Sequence, residues 1–422
     1  MCTRQITLLL CLSVLGVHLA NASGRCEDAQ GQSVTALQAR VDSLNRSLGQ
    51  RESGAPNQSD SANIRDTQEQ LLVATEQLEC AQSNAIAVEK GILSTATFVE
   101  VPLLFVTDRQ RAASPETDLY GSTPSNVLEF GRVKTVIDEI GGIRTSLIAG
   151  AKRVATPKSM GKSQVNGLQQ ITEKELVNLL GSAGAKRDHN PVRVLLFVHG
   201  FNVQFYEAAI STARLATSMQ LPLVPVFYSW PSQGAVKGYW RDEDTVSTSV
   251  VRFTPFLSRL LSGPADEVVI VCHSMGARVV TRALGELARN NTNLPALKKV
   301  VYAAADLDAE EFTAQLPSLR RIPNVGITLY AASDDLALRL SKFIHQFRRL
   351  GESDGGVYLA AGVDTIDASS TTSMFHAVGH SYIVGSPALA ADISDWVSQD
   401  LPPTVRGLQR VPQGTTAYYR FP

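Results

Sequence analysis

The sequence predicts an α/β fold: a mostly parallel central sheet flanked by helices, preceded by a short helical hairpin. Two observations carry this. From about residue 95, short apolar runs alternate with stretches of helical periodicity, and most runs from residue 192 onward are continuously apolar, as strands covered on both faces are. Before that point the texture differs, with apolar residues at alternating spacings of three and four.

The chain opens MCTRQITLLLCLSVLGVHLANAS, with Arg4 ahead of an apolar run and the small residues Ala20 and Ala22 bracketing Asn21. This reads as a secretory signal over residues 1–22 with cleavage before Ser23, and the run is too short for a lasting membrane anchor. The expected location is periplasmic or secreted. Residues 23–94 form the helical segment. In SVTALQARVDSLNRSLGQ, Val34, Leu37, Val41, Leu44 and Leu48 make an apolar stripe, and NIRDTQEQLLVATEQLECA repeats it with Ile64, Leu71 and Leu78. A Gly, Pro and Ser-rich break, GQRESGAPNQSDSA, joins the two, so the segment reads as a coiled-coil-like hairpin, which leaves self-association through it open.

Of 5 cysteines, Cys2 and Cys11 lie in the signal. In an antiparallel hairpin, partners stand equally far from the turn, and Cys26 and Cys80 are symmetric about the Gly/Pro/Ser break. A Cys26–Cys80 disulfide would close a long loop, which the chain-entropy account values at on the order of 4 kcal/mol, and would staple two helices too short to persist alone. Non-reducing peptide mapping of the exported protein should find this bridge, with Cys272, inside an apolar strand, left as a thiol. Two free thiols at Cys26 and Cys80, or a bond between chains, would reject the hairpin.

Residues 95–400 form the α/β domain. Strands are expected at 101–107, 127–137, 192–199, 223–230, 267–273, 298–305, 326–333 and 362–369, and helices at 205–219, about 245–262, 275–289, 309–317, 335–348 and 387–399. Residues 138–190 read as loops plus one helix in ITEKELVNLLG, and 401–422 as a tail strapped over the surface. Formal net charge is -1 with no basic block, so the chain has no electrostatic footprint for nucleic acid. The cysteine spacing fits no zinc pattern, and neither a metal nor an organic cofactor is implied.

One stretch carries chemistry. In VIVCHSMGARVV an apolar run ends at His273, Ser274 comes next, and Gly276 opens a helical pattern. A serine on a sharp strand-to-helix turn, written G-x-S-x-G, can be reached by a base, but Cys272 stands where the first glycine belongs. By itself Ser274 reads equally as a nucleophile or as the cap of the following helix. Three further positions favour the nucleophile. LLFVHGFN ends a strand in His199-Gly200-Phe201, where the N–H of Phe201 or its neighbour, with that of Met275, could form an oxyanion hole. Asp334 and Asp335 close a later strand, and GHSY brings His380 after the last one. Serine, acid, histidine is the chain order this arrangement uses. His199 and His273 lie in or beside apolar runs and read as structural, while His376 is a near neighbour of His380.

The strings FVTDR, FVHGFN, YSWPSQG with RDED, CHSMGARV, AAADLDAEEF, SDDLALRLS and GHSY together resemble a bacterial α/β-hydrolase family of unknown function, over about residues 100 to 398. The resemblance implies an esterase- or lipase-like fold, Ser274 as nucleophile and His380 as base. Asp335 matches the family aspartate before the Ala-Leu pair, and Asp306 in AAADLD matches another recurring acidic position and is the alternative acid. The expected activity is an exported serine hydrolase acting on a small or lipid-like carboxylic ester or thioester. Trp230, Tyr239 and Trp240, in the loop after one strand, are expected to line an acyl pocket or to pack on the sheet edge. The competing expectation is a non-catalytic envelope scaffold that docks through its helical hairpin.

Overall fold

The computed structural model describes residues 33–51, part of 63–78, 98–112, 119–138, 147–154 except 149, 164–185, 191–233, 239–333, 338, 341, 347–372 and 386–422. The first element is helix α1 (Val34–Arg51). Its stripe residues Leu37, Val41 and Leu48 bury in one cluster with Leu71, Ala74 and Leu78 from helical residues between 63 and 78. An amphipathic helix of this length gains its stability from such a partner. Cys26 and Cys80 lie outside the described residues.

The rest of the described chain builds around one sheet. Its strands are β1 (Phe98–Arg111), β2 (Tyr120–Asp138), β3 (Lys152–Val154), β4 (Gln164–Ile171), β5 (Arg193–Val198), β6 (Leu223–Ser229), β7 (Glu267–His273), β8 (Leu297–Ala303), β9 (Gly326–Ala331), β10 (Asp364–Asp367), β11 (Gln409–Gln413) and β12 (Thr416–Arg420). Among the described residues their order is β11-β12-β10-β9-β8-β7-β5-β6-β1-β2-β4, with β3 beside β1. From β1 and β6 through to β10 and β12, neighbours pair in parallel; the β1-β2-β4 wing and the β11-β12 hairpin are antiparallel. The central strands are apolar on both faces because helices cover both. Val269 and Val271 of β7 face one core with α3 (Phe205–Met219) and α7 (Pro387–Gln399); Val268, Ile270 and Cys272 face the other. On that second side lie α2 (Glu173–Ala185), α4 (Tyr239–Ser262), α5 (Gly276–Arg289) and α6 (Ala309–Leu319).

Three stretches differ from the sequence-based expectation. The stretch 138–190 contains β3 and β4 as well as the helix; β4 is a polar strand on the sheet rim and lacks the apolar run that marks a covered strand. Helix α4 starts at Tyr239, so YWRDED is its first turns and not loop. Residues after 401 do not merely strap the surface, since β12 pairs with β10 and extends the sheet.

The layout creates a site by topology. The chain leaves β5 toward β6 on one side, then returns through β7 to β8, β9 and β10 on the other. At such a switch point, helices leave adjacent strands for opposite faces, and a crevice opens at the strands' carboxyl ends. Here α3 and α5 diverge in that way from β5 and β7.

Candidate active site

Ser274 sits at the carboxyl end of β7, directly before α5, with φ of 51°. A side chain in the left-handed region costs on the order of 1 kcal/mol, so the surrounding contacts must impose it. They do: the Ser274 N–H donates to Ala303 O at 3.1 Å, and the Ser274 carbonyl accepts from Asp306 N–H and Ala277 N–H, each at 3.1 Å. Asn202 after β5 (φ 58°) and Ala304 after β8 (φ 46°) are left-handed too, so three adjacent strands end in strained backbone around one point.

Two glycines let these ends converge. A Cβ on Gly276 would stand 2.5 Å from the carbonyl oxygens of both Val198 and His199, and a Cβ on Gly200 would stand 2.5 Å from the Ser274 Cβ. Neither space exists, so the β5 loop lies directly against the serine. The missing first glycine of the turn does no harm, because Cys272 points into the core and its thiol donates to Val301 O at 3.3 Å. Burial pushes that thiol far up, so Cys272 is an inert packing residue.

A family described as "Alpha/beta hydrolase of unknown function (DUF900)" matches residues 180–395, half of the chain, and spans β5 through most of α7. The chain belongs to this α/β-hydrolase family. No curated protein matches the chain. Among solved structures, a crystal structure of a mutant of the esterase rPPE is similar over 85% of this chain and 82% of that one, with 10% identity and a TM-score of 0.27, too weak a likeness to carry weight. The family match leaves out α1, β1 to β4 and the β11-β12 hairpin of this α/β-hydrolase, including the FVTDR strand end that the sequence resemblance covered.

In the hydrolase, the loop after β5 is held from several sides. The Asp242 carboxylate accepts the Ser232 hydroxyl at 2.5 Å and Gln233 N–H at 2.8 Å, and the Asn202 backbone N–H also donates to it. Burial pushes this carboxyl up to about 6 against those donors. The Asn202 amide, a neighbour of Phe201, is thus committed to Asp242. Among the described residues neither the Phe201 nor the Met275 N–H has an assigned acceptor, and Met275 is the first residue of the turn into α5.

Asp306 lies just past β8, buried, in a cluster of its own. Its carboxylate accepts the Tyr239 hydroxyl at 2.9 Å and the Ser341 hydroxyl at 2.5 Å, and forms ion pairs with Arg278 at 3.1 Å and Arg349 at 3.4 Å. Burial opposes its charge, but the two guanidiniums and two hydroxyls outweigh burial and hold the carboxyl well below the usual range. Arg278, on the serine's own helix, also donates to Asp306 O at 2.6 Å and pairs with Glu243. This carboxylate ties α4, α5 and the β8 end together. Both its oxygens are engaged by groups other than an imidazole. Asp335 falls four positions past the end of β9, and His380 in the link between β10 and α7; both lie outside the described residues, as does His376.

The three aromatic residues expected around a pocket are placed differently from one another. Trp230 is fully buried: its ring stacks on His199 at 5.2 Å and its indole N–H donates to His199 O at 2.7 Å. Through both contacts it supports the end of β5 at His199. Tyr239 is committed through its hydroxyl to Asp306 and through its ring edge to Phe201 at 5.0 Å. Trp240 is half-buried, edge-on to Tyr239 at 5.9 Å. A polar helix start hides these roles, because only the tertiary fold says which side of α4 meets β8. Among the described residues no group of three His, Cys, Asp or Glu side chains is placed to hold a metal, and no helix is long and apolar enough to cross a membrane.

Proposed function

We propose that the chain is an exported serine hydrolase that cleaves a carboxylic ester or thioester. The observation that carries this reading is the left-handed Ser274 at the switch point of the sheet, set against Gly200, while Gly276 lets the end of β5 close in on the same turn. A serine that only caps a helix has no need of that strain. In the reaction, Ser274 Oγ attacks the acyl carbon while its proton passes to His380. The carbonyl oxygen becomes an oxyanion that accepts hydrogen bonds from the Phe201 and Met275 N–H groups. His380 then gives the proton to the departing alcohol or thiol, Asp335 holds the imidazole in the productive tautomer, and water frees the acyl group by the same steps. Chain order supports the assignment, because in sequence Asp335 follows β9 and His380 follows β10, two strands that lie on the β8 side of the serine strand.

A fluorophosphonate probe, which phosphonylates activated serines, tests the reading on the full exported chain. Wild type should label in proportion to time and Ser274→Ala should not. No labelling of folded wild type, or equal labelling of both, would instead favour the non-catalytic envelope scaffold.

A further inference from the structure

Hydrolysis at Ser274 needs the Phe201 N–H to point one way before substrate arrives, and a peptide that follows glycine has little intrinsic preference. In a trans peptide plane the C=O and N–H point in opposite directions. Whatever holds the Gly200 carbonyl therefore aims the Phe201 amide. His199 holds it: Nδ1 lies 2.8 Å from Gly200 O. A carbonyl oxygen only accepts, so the ring proton is on Nδ1 and Nε2 is left as an acceptor. Two donors face Nε2, the Ser229 hydroxyl at 3.3 Å and Arg109 Nη2 at 3.5 Å.

Arg109 comes from β1, outside the residues that match the family, and is 1% exposed. Its guanidinium reaches the loop after β5, the end of β6 with the loop beyond it, and the start of β2. Nη2 donates to Val203 O at 2.6 Å, Nη1 to Ser232 O at 3.0 Å and Gly121 O at 3.1 Å, and Nε to the Ser229 hydroxyl at 2.8 Å. Together with the Trp230 indole on His199 O, these contacts pin the carbonyls of residues 199, 200 and 203 by side chains. Burial, reinforced by the Arg109 charge, holds the His199 imidazolium far out of reach, so the ring stays neutral.

We propose that Arg109 and His199 are positioning residues: Arg109 faces the Nε2 edge of His199, the ring keeps its proton on Nδ1, and that proton turns the Gly200–Phe201 peptide so that its N–H meets the oxyanion. This rests on the Ser274 reading for its catalytic consequence, but not for its structural part. The ring nitrogen bears no proton in flight and touches no substrate.

The test uses the full chain and the two amides that mimic the two ring nitrogens. In His199→Asn the side-chain N–H falls near the place of Nδ1, and in His199→Gln near that of Nε2. With a p-nitrophenyl ester, His199→Gln should lower kcat about 100-fold, the loss expected for one oxyanion donor, with KM little changed, while His199→Asn should recover most of it. Arg109→Lys, which keeps the charge but not the fork, should fall in between. Nitrogen-detected NMR of His199 in wild type should show the neutral Nδ1–H tautomer at neutral pH. Equal losses in the Asn and Gln variants, a loss in KM alone, or an Nε2–H or charged ring would overturn the proposal. If wild type neither cleaves the ester nor reacts with fluorophosphonate, the Ser274 reading fails, and the NMR result still decides whether the histidine holds the loop.

Discussion

Ser274→Ala and His380→Ala should each remove at least about three orders of magnitude from ester turnover, and the double variant should be hardly slower than either. The reason is that the serine is a nucleophile only while a base takes its proton, so the two side chains are one device. Residual turnover should come from the oxyanion donors, which neither substitution touches. Circular dichroism and melting should change little for Ser274→Ala, which removes one hydroxyl and leaves the turn's backbone bonds to Ala303, Asp306 and Ala277 in place. If the two losses multiply in the double variant, the residues act separately and the assignment of His380 as the base is wrong.

The second large effect separates the two aspartates. Asp335→Asn should cut kcat by about four orders of magnitude, as loss of the group that fixes the imidazole tautomer does, with the melting temperature nearly unchanged. Asp306→Asn should do the reverse. It leaves buried Arg349 without its carboxylate and Arg278 with Glu243 alone, and breaking a buried pair in this way costs on the order of 3 kcal/mol. The fold should loosen and activity should fall with it. A stable Asp306→Asn protein with the larger kinetic loss would move the acid role to Asp306.

The contrast between these residues shows where local sequence suffices. Strand β7 is expected at 267–273 and spans those residues, since the continuous apolar run Val268 to Cys272, bounded by Glu267 and His273, has no other use in a covered sheet. The helices at 205–219 and 387–399 are equally direct, as both open on a good first turn and keep one apolar face. Serine at the turn is legible from Gly276 and from the aspartates and histidine later in the chain. Arg109 is not, although it stands in the FVTDR motif. A charged pair closing an apolar run ordinarily marks where a strand reaches solvent, and nothing local says that carbonyls wait for these charges in the interior. Asp306 is legible as an acid but not as the centre of an ion cluster, because Arg349 and Tyr239 reach it from distant parts of the chain. Strand β4 and the β11-β12 hairpin escape for the opposite reason, being polar strands defined by what they pair with.

Among the described residues those last two pieces end the sheet, and a sheet this wide needs ends that refuse company. A bare edge strand offers a row of N–H and C=O groups that another chain can continue, which is how sheets aggregate. On the β4 side, exposed Asn166, Gln169 and Gln170 accompany a break in register opposite Arg132 to Lys134, and Gly167 adopts φ of 61°. A partner strand would find no straight ladder there. On the other side, β11 carries exposed Arg410 beside Pro412, whose ring nitrogen has no hydrogen to offer. The irregular and proline-bearing strands at the two rims thus offer a neighbouring molecule a poor template to continue the sheet.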